Sequence, residues 1–538
     1  MVKCLLDKLL YKIYFLTLSL FCLIIILPII GIISKIDFDY SYFVTFFNSN
    51  YNLRLIYITF IQALLSAILS CAIAIPFSLS LFRQKELKIS KFVISLCGYS
   101  FVLPSILIVF AVIGIFGING FINEYINFYE ILNIKSLFGL KAILLGHILL
   151  NAPFATRLFF QNLNTIPKNF IDLSSSLNLG FWSNTINVEW PILKQNFIST
   201  FSIIFVLCFL SFAIVMTLGG GPSTSTIEVA IYQFALFELN FNKAIVLSIF
   251  QILICLIFLI TGFYKQKGSK FFEIQTNNFD HAFENRLIIK SFDYFLIFIL
   301  SFFLFSPIIF ITNNFFQLVF LENIFVKKYF IDAFLNSLIL CILTGLLVTY
   351  IGFVISVLLV KIRKKYFLQQ LLFLVSSIIL IISPVIISLG YFIILGELRY
   401  NYWVIAIVIV IINTIFLLPF SILILFTEIK NIFLNFNDTK KTFRLSEINF
   451  IKIIYPLIKK NLFYVFSFST AISFGDFTII SFFKNESFQT LPSLLYKLIT
   501  SYRFNEASIV AGFILIFSLF IYLIFDNNNY KDKPDKNI

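Results

Sequence analysis

The sequence predicts an all-α polytopic membrane protein, and three observations predict it. Of its 538 residues 60% are hydrophobic and only 12% charged, whereas a soluble globular chain carries about 25% charged residues. The apolar residues come in repeated runs of about twenty, the length a helix needs to cross a membrane; barrel strands would be about ten residues long and alternating. The runs number about 12, as two tandem sets of six, and landmarks in the first set recur in the second.

In chain order, the first run, 9–33, follows Lys3, Lys8 and Lys12. It is long and no small-residue cleavage site follows it, so it reads as a membrane anchor rather than a cleaved signal. Further runs centre near Leu65, Ile108, Leu150, Phe205 and Leu253, then near Ile299, Ile342, Ile379, Val408, Phe468 and Leu515. The expected organisation is a first half, 1–263, a cytoplasmic linker, 264–291, a second half, 292–526, and a cytoplasmic tail, 527–538. Basic residues set the orientation. Arg83, Lys85, Lys88 and Lys91 follow the second run, and Lys361, Arg363, Lys364 and Lys365 the eighth. Lys265, Lys267, Lys270, Arg286 and Lys290 sit in or beside the linker, and Lys531, Lys533 and Lys536 in the tail. With twelve spans all of these share one side, the cytoplasm, together with both termini. Lys327 and Lys328 are the exception. The net charge of +14 is thereby assigned to topology, with lipid as the neighbour, and not to nucleic acid.

Seven cysteines are scattered, none in a C-x-x-C pair, and read as small buried apolar residues. With two histidines and no H-E-x-x-H, metal ligation has little to work with. Pro153 and Pro419 lie 266 positions apart, Pro191 and Pro456 265, Ser211-Phe212 and Ser473-Phe474 262, and Tyr232 and Tyr496 264. Such constant offsets argue for a duplication. An even number of spans between the copies gives them one orientation and a pseudo-two-fold axis along the membrane normal.

Each half carries a structured polar loop. In the first, 164–196, Thr165 and Pro167 suit a helix start. Phe170, Leu173 and Leu177 fall on one helical face, with Lys168, Asp172 and Ser176 on the other. Asn178 and Gly180 are candidates for a left-handed turn, and Pro191 restarts the chain. In the second loop, 430–461, Phe433, Phe436 and Phe443 supply the apolar face, and Asp438, Lys440, Lys441 and Arg444 the polar one. One such helix alone reads equally as an interfacial helix on lipid headgroups. Two at matching places favour a partner that is itself two-fold symmetric.

On these residues the chain resembles the permease subunits of binding-protein-dependent ABC importers, whose two cytoplasmic loops each carry E-A-A, a glycine and later L-P. Ile166-Pro167 match the motif's start and Asp172 stands at its Glu. Leu173 and Ser174 replace the alanines, Leu177 matches the apolar position, Asn178 stands at the glycine, and Trp190-Pro191 close it. The second copy keeps Pro456, with Phe443 or Arg444 at the glycine. The stretches GHILLNAPFATRLFFQNLNTIP, VEWPILK, SFAIVMTLGGGPSTSTIEVAIYQ, FGDF and SFQTLPSLLYKLITSYR further resemble the fused thiamine-importer permeases. The resemblance implies docking of an ATP-binding cassette ATPase dimer on both loops, delivery by a periplasmic substrate-binding protein, and alternating access in a bacterial inner membrane. It implies no cofactor in this chain; ATP and Mg belong to the partner. Consistently, the sequence has no G-x-x-x-x-G-K-[ST] with which to cradle a nucleotide.

Four residues are candidates for the solute path. Asp476 is either a gate acid or a helix-end carboxylate satisfied by amides. Glu228 is either a path acid or the acid of a helix start capped by Ser225. His147 and Asn151, one helical turn apart, either line the path or bond between helices. Gly219 to Gly221 allow a tight turn. A ferric-ion importer permease is the nearest alternative, and an ion-coupled secondary transporter the alternative from another class.

Overall fold

The computed structural model describes residues 2–35, 46, 48–127, 136–177, 179–264, 287–319, 324, 327–361, 382–443, 447–483 and 488–530. Among these, ten helical segments are long and apolar enough to cross a membrane, and the chain is a multi-pass membrane protein. The expected span near Ile379 lies largely outside the described residues, as do 265–286 of the linker and 531–538 of the tail. The span near Phe468 is present as a 28-residue helix, made less apolar by Lys452, Lys459 and Lys460.

The first half runs α1 (Val2–Ile33), α2 (Asn50–Arg83), α3 (Lys88–Tyr99), α4 (Ser105–Phe116), α5 (Phe121–Ile126), α6 (Leu140–Leu163), α7 (Lys168–Ser176), α8 (Phe181–Asn184), a π turn (Thr185–Glu189), α9 (Trp190–Phe209), α10 (Ala213–Leu218), α11 (Ile227–Leu236) and α12 (Phe241–Tyr264). The second runs α13 (Leu287–Leu318), α14 (Lys328–Lys361), α15 (Pro384–Leu395), α16 (Tyr402–Thr442), α17 (Glu447–Phe474), α18 (Thr478–Phe483), α19 (Leu491–Thr500) and α20 (Phe504–Tyr530). Local chemistry sets several of these ends. The Ser49 hydroxyl accepts the Asn52 amide at the start of α2. Gly139, at φ 119°, turns the chain into α6, and Gly220 and Gly221, at φ 71° and 123°, make the turn expected of their glycine run.

Element lengths repeat. The pairs α1/α13, α2/α14, α4/α15, α10/α18 and α11/α19 have 32, 34, 12, 6 and 10 residues each. Their polar contacts repeat too. A short helix starting inside an apolar core must find acceptors for its first amides. The Ile227 amide donates to Thr59 Oγ1 at 2.9 Å and the Leu491 amide to Ser337 Oγ at 2.8 Å. Thr59 and Ser337 are each the tenth residue of a 34-residue helix.

The halves are laced through their first helices. α1 packs on α15, with further contacts to α14, α16 and α17; α13 packs on α2, α4 and α6 as well as on α20 of its own half. The Tyr391 hydroxyl donates to the Ile24 carbonyl at 2.7 Å. A Cβ on Gly31 would lie 2.5 Å from the Gly390 carbonyl oxygen, so the α1–α15 crossing requires glycine. On the other side Gly114 of α4 leaves room for the Phe310 ring of α13. Apolar side chains such as Leu16, Ile26, Phe302 and Leu346 face outward, as lipid contact demands.

Candidate docking and gating sites

The first polar loop forms a short helix turned outward. Ile166, Ile171 and Ser174 are buried, whereas Phe170, Leu173 and Leu177 are 58%, 57% and 70% exposed. Asp172, Pro167 and Pro191 are also exposed. The apolar face read from the sequence therefore points away from the protein, not into it. Two local expectations are corrected. Thr165 does not cap α7: its hydroxyl donates to the Asn162 carbonyl at 2.7 Å, closing α6, and Pro167 itself occupies the cap position. Gly180 is extended, at φ −68° and ψ 163°, and precedes α8. Asn178 lies outside the described residues.

Behind this helix is an ionic cluster that sequence reasoning missed. Arg83, the last residue of α2, donates from Nη2 to Glu189 Oε2 at 2.6 Å and from Nε to Oε1 at 3.0 Å. Its Nη2 also reaches Thr185 Oγ1 at 2.8 Å, and its guanidinium lies 4.4 Å from the centroid of the Phe181 ring. Asp293 of α13 approaches Arg83 Nη1 at 3.6 Å and accepts from Gln84 Nε2 at 3.4 Å. All three charged side chains are at most 5% exposed. The available signal was Asp293, an acid within the first two turns of an otherwise apolar run; Arg83 reads in the sequence only as a mark of topology.

The second loop is built differently. No proline interrupts it where Pro167 interrupts the first, and α16 continues without a break from Tyr402 to Thr442. Phe436 is half-buried, Phe443 is 70% exposed, and Pro456 is exposed on α17. The side chains of Asp438, Lys440, Lys441 and Arg444 lie outside the described residues. Phe433 meets Phe450 edge-on at 5.1 Å.

Where the halves meet, matched aromatic residues stack. Phe212, just before α10, and Phe477, just before α18, lie face to face at 6.2 Å. Tyr232 packs on Phe212 at 5.2 Å and Tyr496 on Phe477 at 4.9 Å. The equivalent of Phe212 is thus Phe477, three residues beyond the Phe474 that sequence spacing indicates. Asp476 caps α18: its two carboxylate oxygens accept the Thr478 and Ile479 amides at 3.0 and 3.3 Å. These bonds are those of the helix-end carboxylate, one of the two roles weighed for Asp476. Glu228 differs from the capping expectation. Thr226, not Ser225, precedes the helix, and the buried Glu228 carboxylate accepts from Gln251 of α12. It stands on α11, which packs against α15 of the other half.

His147 and Asn151 are buried on α6, among helices of the first half. His147 Nδ1 pairs with Ser66 Oγ at 2.9 Å, and Asn151 Nδ2 donates to Cys208 Sγ at 3.2 Å. Both make bonds between helices. The exception among the basic loops also finds a partner: Lys327 Nζ lies 3.1 Å from Glu506 Oε1, and the carboxylate raises the lysine's pKa. Tyr329 and Arg503 donate to the same carboxylate, tying α14 to α20.

No family model matches the chain. Single relatives do. A thiamine transport system permease protein, ThiP, from Haemophilus influenzae is 31% identical over 496 residues, spanning 91% of this chain and 90% of that protein. The chain belongs to the thiamine transport system permease family. Permeases of this family from Salmonella typhimurium and Escherichia coli are each 26% identical, over 88% and 90% of this chain. At such coverage the likeness extends over both the first and the second set of spanning helices. The membership assigns the chain as a transport permease; its local chemistry must come from the residues above.

Proposed function

We propose that this chain is the transmembrane permease of an ATP-driven importer in a bacterial inner membrane, passing thiamine to the cytoplasm by alternating access. The observation that carries this reading is the Phe212–Phe477 stack. Matched residues of two like halves close the space between them, and a small relative movement of the halves would open it. Thiamine is cationic and aromatic, and the faces of Phe212, Tyr232, Phe477 and Tyr496 suit such a solute as the gate parts.

The division into halves 1–263 and 292–526, with a cytoplasmic linker and cytoplasmic termini, belongs to this proposal. The Arg83 end of the bundle, with both polar loops, then faces the cytoplasm. There Phe170, Leu173 and Leu177 would enter an apolar groove on one subunit of an ATPase dimer, and the exposed Phe443 region would meet the other. ATP and Mg are held by that dimer. On the opposite face a periplasmic binding protein delivers the solute near the Lys327–Glu506 contact.

Reconstitution in proteoliposomes tests the proposal. Uptake of labelled thiamine is expected only with the ATPase, ATP and loaded binding protein all present. Uptake driven by an ion gradient without the ATPase would instead establish a secondary transporter. Phe212→Ala with Phe477→Ala is expected to admit thiamine without ATP, and a tight double variant would remove the stack from its gating role.

A further inference from the structure

The Arg83–Glu189–Asp293 cluster joins three parts of the chain that the proposed cycle must move together. Arg83 ends α2, a spanning helix of the first half. Glu189 ends the π turn that leads out of the first docking loop. Asp293 belongs to α13, the helix of the second half that lies against α2, α4 and α6. We infer that this cluster is the joint through which movement of the first docking loop reaches the second half, with Arg83, Glu189 and Asp293 as positioning residues. The inference rests on the docking role proposed above.

The two links differ in kind. Arg83 and Glu189 share two charge-assisted hydrogen bonds at 2.6 and 3.0 Å, with Thr185 as a third tie. A paired geometry of this sort fixes direction as well as distance, so the loop exit and the end of α2 move as one body. Asp293 stands farther from the guanidinium, at 3.6 Å, and has its second oxygen on Gln84. That contact is the looser one, and it is the one that crosses between halves. A buried ion pair is weak support for stability, because desolvation offsets much of its attraction. Its charged character is explained by a need to hold one arrangement firmly and to exchange it as a unit.

The test uses the full complex of this chain, its ATPase and the binding protein in nanodiscs. Three quantities are read: co-purification of the ATPase, basal ATP hydrolysis, and its stimulation by thiamine-loaded binding protein. Glu189→Gln and Asp293→Asn keep side-chain shape and remove the charge. Expected are native co-purification and basal turnover, with stimulation reduced about five-fold or more, the scale of a coupling free energy. The double variant should lose no more than the worse single one, because both act on one joint. Arg83→Met/Glu189→Leu/Asp293→Leu replaces the cluster with apolar side chains of similar volume. It should restore native melting but not stimulation. The inference is overturned if both single variants stay within about two-fold of native stimulation, or if the triple variant restores stimulation. It is equally overturned if no variant accumulates as folded protein, which assigns the cluster to folding. Failure of the native chain to retain the ATPase would overturn the docking role itself, a separate result.

Discussion

The two polar-loop regions occupy equivalent places in the chain and are held by opposite chemistry. In the first, Arg83, Glu189 and Asp293 are paired ions out of water. In the second, Ile429, Phe450, Ile454 and Ile458 pack with Val354 and Val357 of α14 as an apolar cluster. Glu189 stands two residues before Pro191; two residues before Pro456 stands Ile454, buried. Pro191 is the second residue of α9 and Pro456 the tenth of α17, and among the described residues a π turn stands ahead of Pro191 but not of Pro456. Consecutive residues of a helix point about 100° apart, so Glu189 and Ile454 both face inward while Trp190 and Tyr455 stay exposed, with or without a π turn. The two regions thus differ in backbone as well as in chemistry: a helix break at Pro167 and an ionic contact in one, a continuous helix and an apolar contact in the other.

The comparison predicts how each side breaks. Arg83→Ala leaves Glu189 and Asp293 buried without their cation and should destabilise the chain by about 3–5 kcal/mol, read as a large fall in melting temperature in nanodiscs. Ile454→Ala removes buried methyl groups and leaves a cavity, with an expected cost of about 3 kcal/mol. If Ile454→Ala proved the more damaging, the ionic region would not be the more strongly held of the two. A third contrast lies at the aromatic stack. Asp476 caps α18, whereas Phe212 gives α10 no side-chain cap. Asp476→Ala should cost about 1 kcal/mol, and Asp476→Asn only a few tenths, since Asn caps as well. Equal losses in the two variants would show that its charge, not its capping, is what the position uses.

Much of this was legible in the sequence, for a physical reason. Membrane spans announce themselves by length and apolarity, so the all-α polytopic fold could be placed from the sequence alone. What stayed hidden depended on contacts between distant segments. Arg83 is 106 positions from Glu189 and Glu189 is 104 from Asp293; a loop charge shows no partner at that range. The exchange of first helices depends on Gly31 and Gly390, two glycines that carry no pattern. Local capping was misjudged at Thr165 and Ser225 because each hydroxyl found a nearby carbonyl instead, at Asn162 and Gly221. For Ile227 the acceptor came from Thr59, on another helix.

The smallest expected effect on stability discriminates best between docking and folding. Asp172 is exposed on α7, beside the outward-facing Leu173. An exposed substitution away from caps and cores shifts stability by no more than about 0.5 kcal/mol, so Asp172→Ala should melt as the native chain does. If α7 enters a groove on the ATPase, the same substitution should still lower co-purification, and adding Pro167→Ala should lower it further by loosening the break between α6 and α7. A matching change in the second region, Phe443→Ala, removes an exposed ring from a helix end that has no such break. Its effect on assembly should be the weaker of the two. Equal effects would mean that both halves grip the motor alike, and that the ionic region behind α7 answers a demand other than asymmetric docking.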